Sequence, residues 1–116
     1  MQLVHEPASG NRTTVASTVD TADSFLAKAR GLMFRRSIPD DYAIAFRFDD
    51  ARVRDVHMVF VFVALDVVWV VDDVVTRVET LKPWRGFGRD EADLIVELPA
   101  GAATDVEPGD GVRLQE

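Results

Sequence analysis

Between Tyr42 and Phe48 the chain alternates: Tyr42, Ile44, Phe46 and Phe48 are large and apolar, and Ala43, Ala45 and Arg47 lie between them. That period of two predicts a strand. From Val56 to Val71 both parities are apolar, with only His57 and Asp66 interrupting. Such a run predicts central strands covered on both faces, dividing near Ala64–Asp66 into two strands or one sharply bent strand, with Phe60 or Phe62, Val68 and Val70 fully buried. Asp72–Asp73 supports a two-residue hairpin into a strand over Val74–Leu81, which Pro83 stops. Upstream, Val4 and Thr13–Val19 predict early strands around the turn PASGN. Asp20 is placed as an N-cap with Asp23 three residues on. It would open a helix to about Arg30 whose apolar face is Phe25, Leu26 and Ala29, and Gly31 would cap it. Downstream, WRGFGRDEAD reads as a loop and Leu94–Leu98 as a strand. Ala100–Val106 reads as a helical turn, EPGD as a turn and Val112–Leu114 as a last strand.

Six to eight short strands with one helix, and no alternating βα units, predict a mainly β (α+β) domain: a small closed or nearly closed β-barrel. The 116 residues make one domain, 1–116, without repeats or interior linkers.

Composition supports the strands, since Val alone supplies 18 residues. Cysteine is absent, which excludes disulfides and thiolate metal sites. The first twenty residues have no basic flank followed by an apolar stretch, so a signal peptide is not expected, and no apolar run spans a bilayer. Both features predict a cytoplasmic protein. Charge adds the most. Fourteen Asp and six Glu face eleven Arg and two Lys, a net charge of −7. Self-repulsion on that scale is screened when the Debye length falls to ~3 Å at ~1 M salt. Asp in excess, with Lys nearly gone, predicts a halophilic, archaeal-type acidic protein.

Four constellations could carry chemistry. In RGLMFRR, three arginines around a helix end, Arg30, Arg35 and Arg36, could hold a carboxylate or phosphate bidentately. Alternatively Leu32, Met33 and Phe34 plug the core while the arginines pair with surface Asp. Asp66, alone in an apolar run, could be a carboxyl with a raised pKa, or a turn carboxylate satisfied by backbone amides. His57 with Asp66 and Glu97 could perform acid–base work, although their spacing matches no metal or catalytic motif, and His5 lies in an exposed-looking terminus. In KPWRGFGRD, Trp84 and Phe87 could stack on a flat ligand while Arg85 and Arg89 hold charge and Gly86 and Gly88 allow close approach; the bland reading is closure of the barrel end.

RGLMFR near residue 30, LDVVWV at 65–70, VELPAG at 96–101 and EPGD at 107–110 resemble, in order and spacing, the domain-of-unknown-function family 192. The resemblance runs from about Thr13 to the end. It implies a compact β-rich domain with one helix, found in bacteria and archaea, often behind an export signal that residues 1–20 do not resemble. The family's hallmark positions fall on Arg30, Gly31, Leu32, Met33, Arg35, Met58, Leu65, Asp66, Glu97, Leu98, Gly101, Gly109 and Asp110. Relatives often carry Asn-Thr and Pro where this chain has Phe60, Val61 and Ala64.

The reading that follows is a non-enzymatic module binding a small molecule or a protein, without cofactor or metal. Membrane and nucleic-acid partners are not expected. The binding candidates are Arg30, Arg35, Asp66, Trp84, Arg85 and Glu97, and Glu97 is expected to pair with Arg30 or Arg35. The alternative is a hydrolase or other acid–base enzyme using Asp66 with Glu97 or His57. The charge balance predicts that the thermal midpoint, followed by circular dichroism, rises from dilute buffer to molar KCl. A flat midpoint would refute the halophile reading.

Overall fold

The computed structural model describes residues 1–8, 10–22, 35 and 37–116. Eight strands follow in chain order: β1 Gln2–Glu6, β2 Thr13–Ala16, β3 Thr18–Thr21, β4 Tyr42–His57, β5 Leu65–Val71, β6 Val74–Leu81, β7 Phe87–Pro99 and β8 Gly111–Gln115. They form one sheet in the order β2-β1-β8-β6-β5-β7-β4-β3. Every ladder is antiparallel except β3 on β4.

The two-sided apolar pattern places β5 and β7 at the centre. On one face Leu65, Val67 and Trp69 of β5 pack with Tyr42, Ile44 and Phe46 of β4 and Ile95 of β7. On the other, Val68 and Val70 pack with Ala43, Ala45, Leu94, Val96 and Leu98, over Leu3 and Val112 from the terminal strands. The alternation over 42–48 is therefore real, but both parities are buried. Small alanines on one side admit the second layer. Trp69 is 0% exposed and its Nε1–H donates to the Arg54 carbonyl at 3.2 Å. Gly88 lies beneath that ring, where a Cβ would stand 2.4 Å from Trp69 Cη2.

Turn chemistry sets the connections. Asp72 and Asp73 have φ of 49° and 64° and join β5 to β6 as the sequence predicts; carboxamide-sized side chains tolerate this left-handed backbone. In EPGD the Asp110 amide bonds back to the Glu107 carbonyl and Gly109 takes φ 93°, as a turn with Pro then Gly requires. Residues 99–106 form successive i→i+3 turns, in keeping with the helical turn expected there.

Several expectations need correction. The run from Val56 to Val71 is not two central strands: β4 ends at His57, residues 58–64 form a loop, and only β5 is central. Phe60 has φ 63° and is 43% exposed, so neither it nor half-buried Phe62 belongs to the sheet interior, although Val68 and Val70 are buried as expected. The loop WRGFGRDEAD is strand from Phe87 onward. Its polar pattern misled because the outer half of β7 pairs only with the equally polar outer half of β4, an arm open to solvent. Asp20 is not an N-cap. It lies in β3, opposite Ile44, and its Oδ2 accepts from the Tyr42 hydroxyl at 2.9 Å. The expected helix otherwise falls on residues outside those described, and there is no helix among the described residues.

The sheet is not closed into a barrel. Its edge strands, β2 and β3, make no ladder with each other. Yet Ser17 alone separates them in sequence, so the sheet curls until its two edges meet at that residue. Asp41 pins the corner: its carboxylate accepts from the Ser17 amide at 2.9 Å and from the Ser17 hydroxyl, and its carbonyl accepts from Thr18 N–H at 3.3 Å. A one-residue corner cannot turn one edge back to pair with the other, which leaves the ladder open.

Burial of this kind makes Trp69 the costliest side chain to truncate. Trp69→Ala should lower unfolding free energy by about 3–5 kcal/mol, and Phe60→Ala by much less, both read from urea midpoints. Equal losses would contradict the two-layer core described.

Candidate functional site

Two loops at one end of the sheet, 58–64 and 82–86, are laced to each other by their backbones. Met58 N–H donates to the Gly86 carbonyl at 3.0 Å and Trp84 N–H to the Val61 carbonyl at 3.2 Å. Met58 and Val61 turn inward as plugs. Phe60 and Trp84 turn outward, at φ 63° and 66°. Left-handed backbone at a bulky residue costs about 1–3 kcal/mol and is held only where the surroundings impose it. Trp84 is 45% exposed and meets the rings of Phe60 and Phe62 edge-to-face, each at 5.3 Å between centroids. Lys82 and Arg85, on the Trp84 loop, are exposed and make no ion pair among the described residues. Phe87, 54% exposed, begins β7 beside them.

Other parts of KPWRGFGRD serve the fold. Arg89 is engaged by Asp55, Nε to Oδ1 at 2.5 Å, and that hydrogen bond holds the Asp55 carboxyl below its usual range. The glycines do not await a ligand. A Cβ at Gly86 would stand 2.7 Å from Leu81 Cβ and 2.8 Å from the Lys82 backbone, and the space over Gly88 is filled by Trp69.

Asp66 and Glu97 part company for a reason of register. Asp66 pairs with Leu98, whereas Val67 pairs with Glu97, so the two carboxyls project from opposite faces of the sheet. Asp66 is 2% exposed and fully engaged. Thr80 Oγ1–H donates at 2.6 Å, and the Gly101 and Ala103 amides donate to Oδ2 at 2.9 Å each. It fastens the 99–106 turns to β5. Glu97, 8% exposed, sits opposite Ile44 and Val67. Burial pushes its pKa up to about 7. Among the described residues no Arg nitrogen lies within 4.0 Å of it. The expected Glu97–Arg35 pair is therefore not formed: Arg35 is exposed and its guanidinium lies over the Tyr42 ring at 5.4 Å. Burial raises the proton affinity of this carboxyl, which lessens its need for a cation. Arg30, the other expected partner, lies outside the described residues.

His57 is exposed at the end of β4, where its Nδ1 accepts from Val59 N–H at 3.3 Å. Among the described residues no hydrogen bond or ion pair joins it to Asp66 or Glu97. The histidine that matters to the fold is His5, which is buried rather than exposed. Its Nε2 lies 2.7 Å from Asp110 Oδ2, 105 residues away. That hydrogen bond, helped by the Glu107 and Ala8 amides, holds Asp110 below the usual carboxylate range. The pair clasps β1 to the EPGD turn. Spacing could not reveal it, and only the hallmark position of Asp110 pointed there. Elsewhere, a shallow depression beside the β5–β6 turn gathers Asp72, Asp73 and Asp93 against Arg47, and Asp93 already accepts from the Asp72 amide. No group of three or more potential metal ligands occurs among the described residues.

The fold is a mainly β domain with one open sheet of eight strands. The chain belongs to the DUF192 family (Uncharacterized ACR), whose profile matches residues 6–114. It is 33% identical over 101 residues to UPF0127 protein PH1112 of Pyrococcus horikoshii, which covers 84% of this chain and 85% of that relative. Two crystal structures share the fold. Protein R01717 of Sinorhizobium meliloti 1021 matches with a TM-score of 0.85 at 23% identity, over 97% of this chain and 91% of the other. A protein of unknown function from Novosphingobium aromaticivorans DSM 12444 matches at 0.83 and 22%, over 98% and 84%.

The buried carboxyl of Glu97 makes stability depend on pH. Its folded pKa of about 7 lies above the ordinary 4.5, so the fold binds this proton more tightly than the unfolded chain. Its contribution is complete below pH 4.5, declines as pH rises through 7, and levels off above, a loss of roughly 2–4 kcal/mol. Urea midpoints taken from pH 4.5 to 8.5 should show this decline, and Glu97→Gln should flatten it. A variant with the same slope as the parent would refute the assignment.

Proposed function

We propose that this chain is a non-enzymatic binding module that recognises a small molecule or a protein at its aromatic loop end. One observation carries the reading: Phe60 and Trp84 are both held in left-handed backbone so that their rings stand outward, beside two cations that make no ion pair among the described residues. A loop serving only to close the sheet end gains nothing from that strain, whereas a preorganised contact surface does. Trp84 and Arg85 are the recognition residues of this reading. Arg30 and Arg35 remain candidates from their guanidinium chemistry and from the resemblance, and Asp66 and Glu97 support the fold around the site.

The acid–base alternative loses support because Asp66 and Glu97 face opposite sides of the sheet and Asp66 spends its lone pairs on Thr80 and two amides. We further propose a salt-rich cytoplasm as the setting, supported by the −7 charge and the two lysines. No helix among the described residues is long and apolar enough to cross a membrane.

The experiment is ¹⁵N chemical-shift mapping against pooled metabolites and pooled peptides. Ligands should perturb residues 58–64 and 82–87 first, and Trp84→Ala should abolish the response while leaving the thermal midpoint within a few degrees of the parent. Perturbations centred on Asp66 or Glu97, or none at all, would overturn the reading.

A further inference from the structure

Charge is segregated along this chain. No Asp or Glu occurs from His57 to Leu65 or from Leu81 to Arg89, although the whole carries 20 acidic residues. Those two stretches are the loops of the aromatic end with their flanks. They contribute Lys82, Arg85 and Arg89, of which Arg89 is neutralised by Asp55. The result is a small surface, positive and aromatic, on a protein that is otherwise strongly negative. Trp84 and Phe87 expose about half of their area there.

We propose that this surface docks an acidic segment of a partner protein, one that sets an apolar side chain between carboxylates. The inference rests on the loop end being the recognition surface. The apolar side chain would cover Trp84, and the flanking carboxylates would meet the positive charges of Lys82 and Arg85. Other occupants fit less well. An extended nucleic acid is held through roughly 6–10 phosphate contacts; Lys82 and Arg85 alone fall far short, and the acidic remainder of the chain repels the strand. An anionic bilayer returns about 1 kcal/mol per cation, against repulsion of a chain with net charge −7. Exposed rings suit the surface of a macromolecule better than enclosure of a small ligand, which is usually buried over most of its area. Edge-to-face locking of Trp84 by its phenylalanine neighbours gives a fixed shape, which a specific side chain can use and a fluid bilayer cannot.

The test is selection from a displayed library of random dodecapeptides against the full chain, at a KCl concentration where circular dichroism shows it folded. Selected sequences are expected to be rich in Asp and Glu around one aromatic or aliphatic residue. In fluorescence polarisation, Trp84→Ala should weaken the best peptide at least tenfold. Lys82→Glu with Arg85→Glu should abolish its binding, while Lys82→Arg with Arg85→Lys should retain it, each variant checked for an unchanged thermal midpoint. Neutral or basic selected sequences, no enrichment, or peptides that bind Trp84→Ala equally well would overturn the proposal. The same variants are titrated with oligo-dT, phosphatidylserine vesicles and a second, labelled copy of the chain. Trp84-dependent binding of one of these without peptide enrichment overturns the acidic-segment proposal but keeps the loop end as a recognition surface. Failure of every probe to respond to Trp84→Ala overturns both.

Discussion

Val67, Val68, Trp69 and Val70 are buried on alternating sides of the same strand, so β5 must be covered twice. Its neighbours β6 and β7 can supply only the hydrogen-bond ladders. The two covers come from farther away: the terminal strands with residues 103–106 on one side, and loop 58–64 with the start of β4 on the other. This demand explains why a chain of modest length sends both ends back to one layer. It also explains the residues that look anomalous in isolation. Ala43 and Ala45 are small because a second layer presses on them, and Gly88 is bare because Trp69 lies across it.

The buried carboxyls show two solutions to one problem. Asp66 stays in the apolar run by gathering a hydroxyl and two amides, which satisfy it as water would. Asp110 does the same with His5 and two amides. Glu97 has no such donors among the described residues, and burial raises its pKa. The first two tie loops to strands and so stiffen the frame. The third leaves a group near the sheet centre that responds to pH around neutrality.

Against that frame the aromatic end stands apart. It holds two bulky aromatic residues in left-handed backbone, which elsewhere among the described non-glycine residues is taken only by the small side chains of Asp72 and Asp73, and its charge is opposite to that of the whole. Met58 and Val61 anchor the loop inward while Phe60 between them is turned out. The sheet thus provides the rigidity, and the short loops carry the exposed side chains.

By itself the sequence determined the strand-rich class, the β5–β6 hairpin with its Asp72–Asp73 turn, the EPGD turn and the central place of residues 65–71, because each rests on local periodicity or turn chemistry. It also singled out Trp84 and Arg85, whose residue types mark an exposed loop. Only the tertiary structure decided the rest. An apolar run such as 58–64 fills a core equally well as strand or as loop, and a polar arm such as 87–92 pairs as strand without any period-two signal; long-range packing chooses between them. The partners of buried carboxyls are long-range too. His5 meets Asp110 from the far end of the chain, and Glu97 turns away from Asp66 because their register differs by one residue in a structure of period two.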